Sequence, residues 1–323
     1  MKLRQTIVLL LVILLSATAA WAQQRTKIRY ALGDVVSIDE LPLLIAAERA
    51  KARGVDVEIT AFKSEDVATQ AVINGQADIG QGTPYAALQK LGAPIRFFYQ
   101  LSALLFFPIV NKESYKTWKD LDGQEIAVHT RGSGTEAIMN LAAKEHKIKY
   151  KSVSYVPGSQ VRALALLKGN IKATILDGPN KNMVMKEQPN KFLILPLGNV
   201  KASDEALFAT RDFLDRNQAA VGIFLEELIK VSRAINANPS SVLEERKKLG
   251  LLKDLPAKLE GEILPFYREA VQNSVYPNDG GGDSAAKNDL EFFRLSGALK
   301  GENLKVEDFW HLAPLKAAMA NLK

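Results

Sequence analysis

The segment Arg131-Gly132-Ser133-Gly134-Thr135 brings together residue types that can hold an anionic oxygen. Its glycines allow close backbone approach, amides at a helix start point outward, and Ser133 and Thr135 add hydroxyl donors. That combination suits a carboxylate, sulfonate or phosphate-like oxygen. The same two hydroxyls serve equally well to cap the helix they open. The segment lacks the Gly-Lys-Ser/Thr ending of a Walker loop and does not match a dinucleotide fingerprint.

Three other places carry polar groups at strand ends. The loop from Gly33 to Asp39 offers Asp34, Ser37 and Asp39, and the turn Gly82-Thr83 offers a hydroxyl beside a flexible glycine. In open parallel sheets, ligands sit beyond the carboxyl ends of strands, so both loops are expected to face the 131–135 segment across a cleft. Ser37 and Thr83 can bind there or simply cap helices. Asp177, before Gly178-Pro179, is either a ligand acceptor or a turn former. Facing a ligand, it prefers an amine or N–H donor over an anion, so the polarity of the ligand stays open. His129, at the end of its strand, is a further lining candidate. Three scattered histidines and no cysteine give no metal-ligand spacing, and neither metal nor cofactor is expected. Phe106, Phe107 and Phe208 either pack in the core or lie against an aromatic solute.

Alternating strands and helices position these residues. Ile28, Tyr30 and Leu32 share a face at period two, and Val55, Val57 and Ile59 repeat the pattern. Between them a helix spans about Leu41 to Ala52, and Ser64-Glu65-Asp66 opens the next helix, which stops at Asn74-Gly75. Extended runs follow at Ala77–Gly80 and Ile95–Tyr99. A second series contains strands at Glu125–His129, Lys151–Val156 and Lys172–Leu176, with helices opening at Gly132 and Ser159. Ile73-Asn74-Gly75-Gln76-Ala77 and Leu167-Lys168-Gly169-Asn170-Ile171 suggest two versions of one design. After Phe192–Leu197 the chain turns mainly helical, with one helix expected from Pro256 to Gln272 and another from Phe309 to Asn321. Extended crossings near Leu104–Val110 and Ala206–Thr210 bracket the middle series. The pattern is α/β, with one lobe over 23–108 plus 206–323 and a second over 109–205.

Composition bounds the setting. Lys2 and Arg4 precede an uncharged apolar run from Ile7 to Leu15, and small residues lead to Ala20-Trp21-Ala22. That is a secretory signal, expected over residues 1–22 with cleavage near Ala22. The run is too short to span a bilayer, which takes roughly 20 apolar residues. Removing it takes away two of the six net positive charges and leaves +4. Basic residues are dispersed with no aromatic interleaving, so nucleic acid is not an expected partner.

Taken in order, the opening Gly33–Ala47, the segment Asn74-Gly75-Gln76-Ala77-Asp78-Ile79-Gly80, the helix opening Gly132–Glu136 and Ala173–Pro179 resemble one family. It is the NMT1/THI5-like, or SsuA/TauA-like, group of periplasmic solute-binding proteins for nitrate, sulfonates and thiamine precursors. The ending Tyr276-Pro277-Asn278-Asp279-Gly280 and the region Leu299–Trp310 fit as well. The resemblance implies a two-lobed type II periplasmic binding protein fold with two hinge crossings. It further implies capture of a small polar or anionic organic solute between the lobes and delivery to an ABC permease in the inner membrane. A monomer is expected, and no catalysis, because the secretory signal and the lack of a dense His/Cys site or an assembled nucleophile and base count against an enzyme. Two alternatives share that fold: an enzyme like the pyrimidine synthases of the family, and a periplasmic ligand sensor.

Overall fold

The computed structural model describes residues 25–198 and 200–322. The expected secretory signal and its cleavage site lie outside the described residues.

The first sheet grows from β1 (Thr26–Leu32), α1 (Leu41–Ala52), β2 (Val55–Ala61), α2 (Glu65–Ile73), β3 (Ile79–Gly82), α3 (Tyr85–Leu91) and β4 (Ile95–Ala103). In β1 the buried Ile28 and Tyr30 alternate with the exposed Lys27 and Arg29, as a strand with one wet face requires. Pro42 in the first turn of α1 costs no helical hydrogen bond. That helix buries Leu41, Leu43, Ile45 and Ala46 and is covered by a later helix.

The second sheet follows with β5 (Phe106–Asn111), β6 (Glu125–Val128), α4 (Gly134–His146), β7 (Ser152–Tyr155), α5 (Ser159–Leu167), β8 (Ala173–Asp177), α6 (Gly178–Glu187) and β9 (Phe192–Ile194). The chain then returns as β10 (Ser203–Thr210) and finishes in helices. These are α7 (Arg211–Arg216), α8 (Gln218–Ala237), α9 (Ser241–Leu249), α10 (Ala257–Glu260), α11 (Ile263–Gln272), α12 (Gly282–Ser296), α13 (Val306–Phe309) and α14 (Ala313–Asn321). The apolar stripe Val221, Phe224, Leu225, Leu228, Val231 and Ile235 recurs at helical spacing and seats α8 on α1.

The two sheets repeat one topology. The first runs β2-β1-β3-β10-β4 and the second β7-β6-β8-β5-β9. In each, three strands joined by helices lie parallel. In each, the fourth place holds an antiparallel strand, β10 or β5, that carries the chain in from the other sheet. This is the two-lobed α/β arrangement of the periplasmic binding proteins, with two passages between lobes.

Several expectations need correcting. The return passage runs over 195–202, because β10, read from the sequence as a crossing, lies wholly inside the first sheet. The expected lobe boundaries at 108/109 and 205/206 fall inside β5 and β10. The helix expected over 256–272 is two, α10 and α11. The one expected over 309–321 breaks after Phe309, where Trp310 bridges to Phe97 and the His311 amide donates to the Phe97 carbonyl at 2.7 Å. Helix α6 was not expected at all. Its signals are Asp177 as N-cap and Pro179 in the first turn, which sequence reading left as a ligand acceptor or a turn.

Candidate functional site

The carboxyl ends of the parallel strands of both sheets meet at a cavity of about 450 Å³. Because β10 and β5 run antiparallel, they present their first residues there, Asp204 and Glu205 from one and Phe106 from the other. Loops after β1, β2, β6 and β7 complete the walls, together with Phe266, Val275 and Tyr276 from the helical C-terminal part.

Eight of the twelve expected site residues line this cavity: Asp34, Ser37, Asp39, His129, Ser133, Gly134, Thr135 and Asp177. The other four do not. The Arg131 guanidinium stacks over the Tyr155 ring, 4.9 Å from its centre. The Gly132 amide donates to Glu136 Oε2 at 2.6 Å. The Thr83 amide donates to Glu65 Oε1 at 2.6 Å, and Gly82 lies against that same carboxyl.

The proposed anion cradle is therefore largely taken up by the chain itself. Ser133 caps α4 by accepting from the Glu136 amide at 3.4 Å, and its hydroxyl donates to the Thr130 carbonyl at 2.8 Å. Thr135 Oγ1 lies 2.9 Å from Ser133 Oγ and accepts from the His129 amide at 3.1 Å. Glu136, which also accepts from the Tyr155 hydroxyl at 2.6 Å, supplies the negative group that a helix N-terminus favours. Asp177 likewise caps its helix, Oδ1 accepting from the Asn180 amide at 2.9 Å.

The opposite wall is acidic. Glu40 lies almost fully buried at the end of a relay in which the Tyr30 hydroxyl donates to Gln81 Oε1 at 2.5 Å and Gln81 Nε2 donates to Glu40 Oε1 at 2.9 Å. Burial is the main cause that pushes its carboxyl well up, helped by Asp39. Asp39 opens onto the cavity, yet the surrounding walls thin its hydration and its carboxyl rises to about 6, with Asp177 adding to the effect. Glu65 rises to about 7 for the same first reason, against the Thr83 amide, which favours the charge. Asp204 and Glu205, side by side on β10, are both pushed well up by burial and then by neighbouring carboxyls. Glu205 Oε2 is shut off from solvent and has no hydrogen-bond partner among the described residues.

Arg162 provides the buried positive charge. It is 1% exposed, and it donates to the Val156 carbonyl at 2.9 Å and the Ile175 carbonyl at 3.2 Å. Burial lowers it to about 10, while Asp177 and Asp34 pull the other way. His129 Nδ1 accepts from the Gly158 amide at 3.2 Å, and burial followed by the Arg162 charge lowers the imidazole to about 4, so it is neutral near pH 7.

Contacts close the cavity from both sides. Asp34 Oδ2 reaches within 3.9 Å of His129 Nδ1, and Lys181 Nζ on α6 meets Glu269 Oε1 on α11 at 2.6 Å. Sequence reading missed Glu40, Glu65, Arg162, Asp204 and Glu205. Three acids within Asp34–Glu40 were a usable signal; the Asp204-Glu205 pair reaches the site only through strand direction.

The NMT1/THI5 like family matches residues 39–241. No curated protein matches the chain. Among solved structures, the fold is similar to that of a protein from Bordetella bronchiseptica RB50, 22% identical with a TM-score of 0.73, covering 93% of this chain and 98% of that one. It is similar to the nitrate-binding protein NrtA of Synechocystis PCC 6803, 13% identical with a TM-score of 0.69, over 93% and 90% of the two chains. It is also similar to the alkanesulfonate-binding protein SsuA of Xanthomonas axonopodis pv. citri bound to MOPS, 14% identical with a TM-score of 0.65, over 89% and 99%.

Proposed function

We propose that this chain, which belongs to the NMT1/THI5-like family, is the substrate-binding component of an ABC importer. It captures a small organic solute in the cavity between its sheets and hands it to a permease in the inner membrane. It works as a periplasmic monomer after loss of the signal near Ala22, and it binds without catalysing a reaction. The observation that carries this reading is the cavity of about 450 Å³ at which the strand ends of both sheets converge. That volume matches a small ligand.

The mechanism is differential binding. A solute resting on one lobe gains contacts from the other only when the passages at 104–105 and 195–202 flex, so solute shifts the equilibrium toward the closed form. The Lys181–Glu269 pair spans the two sides and disfavours reopening. The closed shape is what the permease reads. Solved relatives named for sulfonate and nitrate binding support the same role. No described helix is long and apolar enough to cross a membrane.

The test is a thermal-shift screen of purified protein against amines, carboxylates, sulfonates, nitrate and heterocycles, paired with small-angle scattering. A solute at 100 times its dissociation constant adds about 2.7 kcal/mol to the folded state, and scattering then reports a more compact particle. Absence of any shift across every class, or turnover of a bound compound, overturns the reading.

A further inference from the structure

We infer that the solute is an organic cation, carrying a protonated amine or amidinium group on an apolar frame. This rests on the receptor reading above and specifies which charge the site accepts.

The cavity and the surface differ in sign. The whole chain carries +6, so general attraction favours anions. The cavity carries the opposite bias. Asp39, Glu40, Glu65, Asp204 and Glu205 all line it, and none of the five forms an ion pair among the described residues. The cationic side chains at the cavity are otherwise engaged or peripheral. Arg162 gives two of its five N–H donors to backbone carbonyls, and its charge is balanced by Asp34 and Asp177. Lys186 lies 3.7 Å from Glu262, and Lys63 is exposed.

A second, independent observation points to a bound donor. Glu205 lines the cavity, and its Oε2, turned away from water, has no hydrogen-bond partner among the described residues. A buried acceptor left unpaired is costly, more so when charged, and a turn of the side chain that brings Oε2 to an N–H group on the solute removes that cost. Crowding of like charges has the same meaning. Asp39 and Glu65 raise both Asp204 and Glu205, Asp204 further raises Glu205, and a cation among them reverses the effect.

The geometry favours an organic cation over a metal ion. Among the described residues no group of three or more His, Cys, Asp or Glu side chains could hold a metal. Phe62, Phe106, Phe266 and Tyr276 line the same cavity as the carboxyls. Aromatic faces attract cations and accept flat apolar bodies.

Charge-inverted pairs of equal shape supply the test: benzamidinium against benzoate, and butylammonium against butanesulfonate, each by calorimetry on the full chain. Zinc chloride is the metal control. At least one cation binding tenfold or more tighter than its anionic partner supports the inference. An Asp204→Asn, Glu205→Gln double variant then loses at least tenfold in cation affinity while its circular dichroism is unchanged. Anions binding as tightly as cations, or zinc alone binding, overturns the charge assignment and leaves the receptor reading standing. If no compound of any class binds here or in the wider screen, the receptor reading itself fails.

Discussion

Replacing Glu65 by Gln isolates the cost of keeping a carboxylate in the cavity wall. Glu65 opens α2, its Oε1 accepts from the Thr83 amide, and burial lifts its carboxyl from 4.5 to about 7. Between those values the folded protein holds a proton that the unfolded chain has released. By linkage, the stability this group contributes is fully present below pH 4.5 and is lost as pH rises through about 7. At about 1.36 kcal/mol per unit, ionising Glu65 in the folded state costs about 3 kcal/mol by pH 8. Gln keeps the shape and the oxygen that Thr83 needs but never ionises. Glu65→Gln is therefore expected to match the parent protein near pH 4 and to exceed it by about 3 kcal/mol at pH 8. Urea unfolding at pH 4, 6 and 8, followed by tryptophan fluorescence, measures both. A variant no more stable than the parent at pH 8, or a difference that does not change with pH, refutes the reasoning.

Two further substitutions probe the supports of the site. Gly82→Ala forces a side chain onto backbone at φ +131° and puts its Cβ 2.5 Å from Glu65 Oε1, so a loss of about 1–3 kcal/mol is expected in urea unfolding. An unchanged midpoint shows that the turn relaxes. Asp289→Ala removes the acceptor for the Ser203 amide at 2.6 Å and the Tyr85 hydroxyl at 2.7 Å, both in the core. A loss of roughly 2 kcal/mol or more is expected. Asp289→Asn, which retains an acceptor, is expected to lose less, and equal losses in the two variants contradict this account.

Local order was legible because it is local. The alternation in β1, the Ser64 start and Asn74-Gly75 end of α2, and the stripe of α8 are set by neighbours within a few residues, and the structure has each of them. What escaped depends on partners far along the chain. Nothing near Asp204 says that its strand enters the first sheet backwards and delivers its amino end to the cavity. Trp310 breaks a helix because of Phe97, more than 200 residues earlier. The hydroxyls of Ser133 and Thr135 were readable as ligand donors or as caps. Glu136, three residues past Ser133, is the part of the capping pattern that points to the second use.

The strand each sheet borrows has a consequence in time. β4 ends at Ala103, and β10, which must slip between it and β3, begins only at Ser203. In a chain delivered amino end first, everything from residue 104 to residue 202 must arrive before that place is filled. Until then the N-terminal third carries two raw strand edges with no mate, the kind of edge that otherwise recruits other chains. A holding chaperone therefore has a defined window in which to act, and the window shuts when the residues that complete the acidic wall arrive.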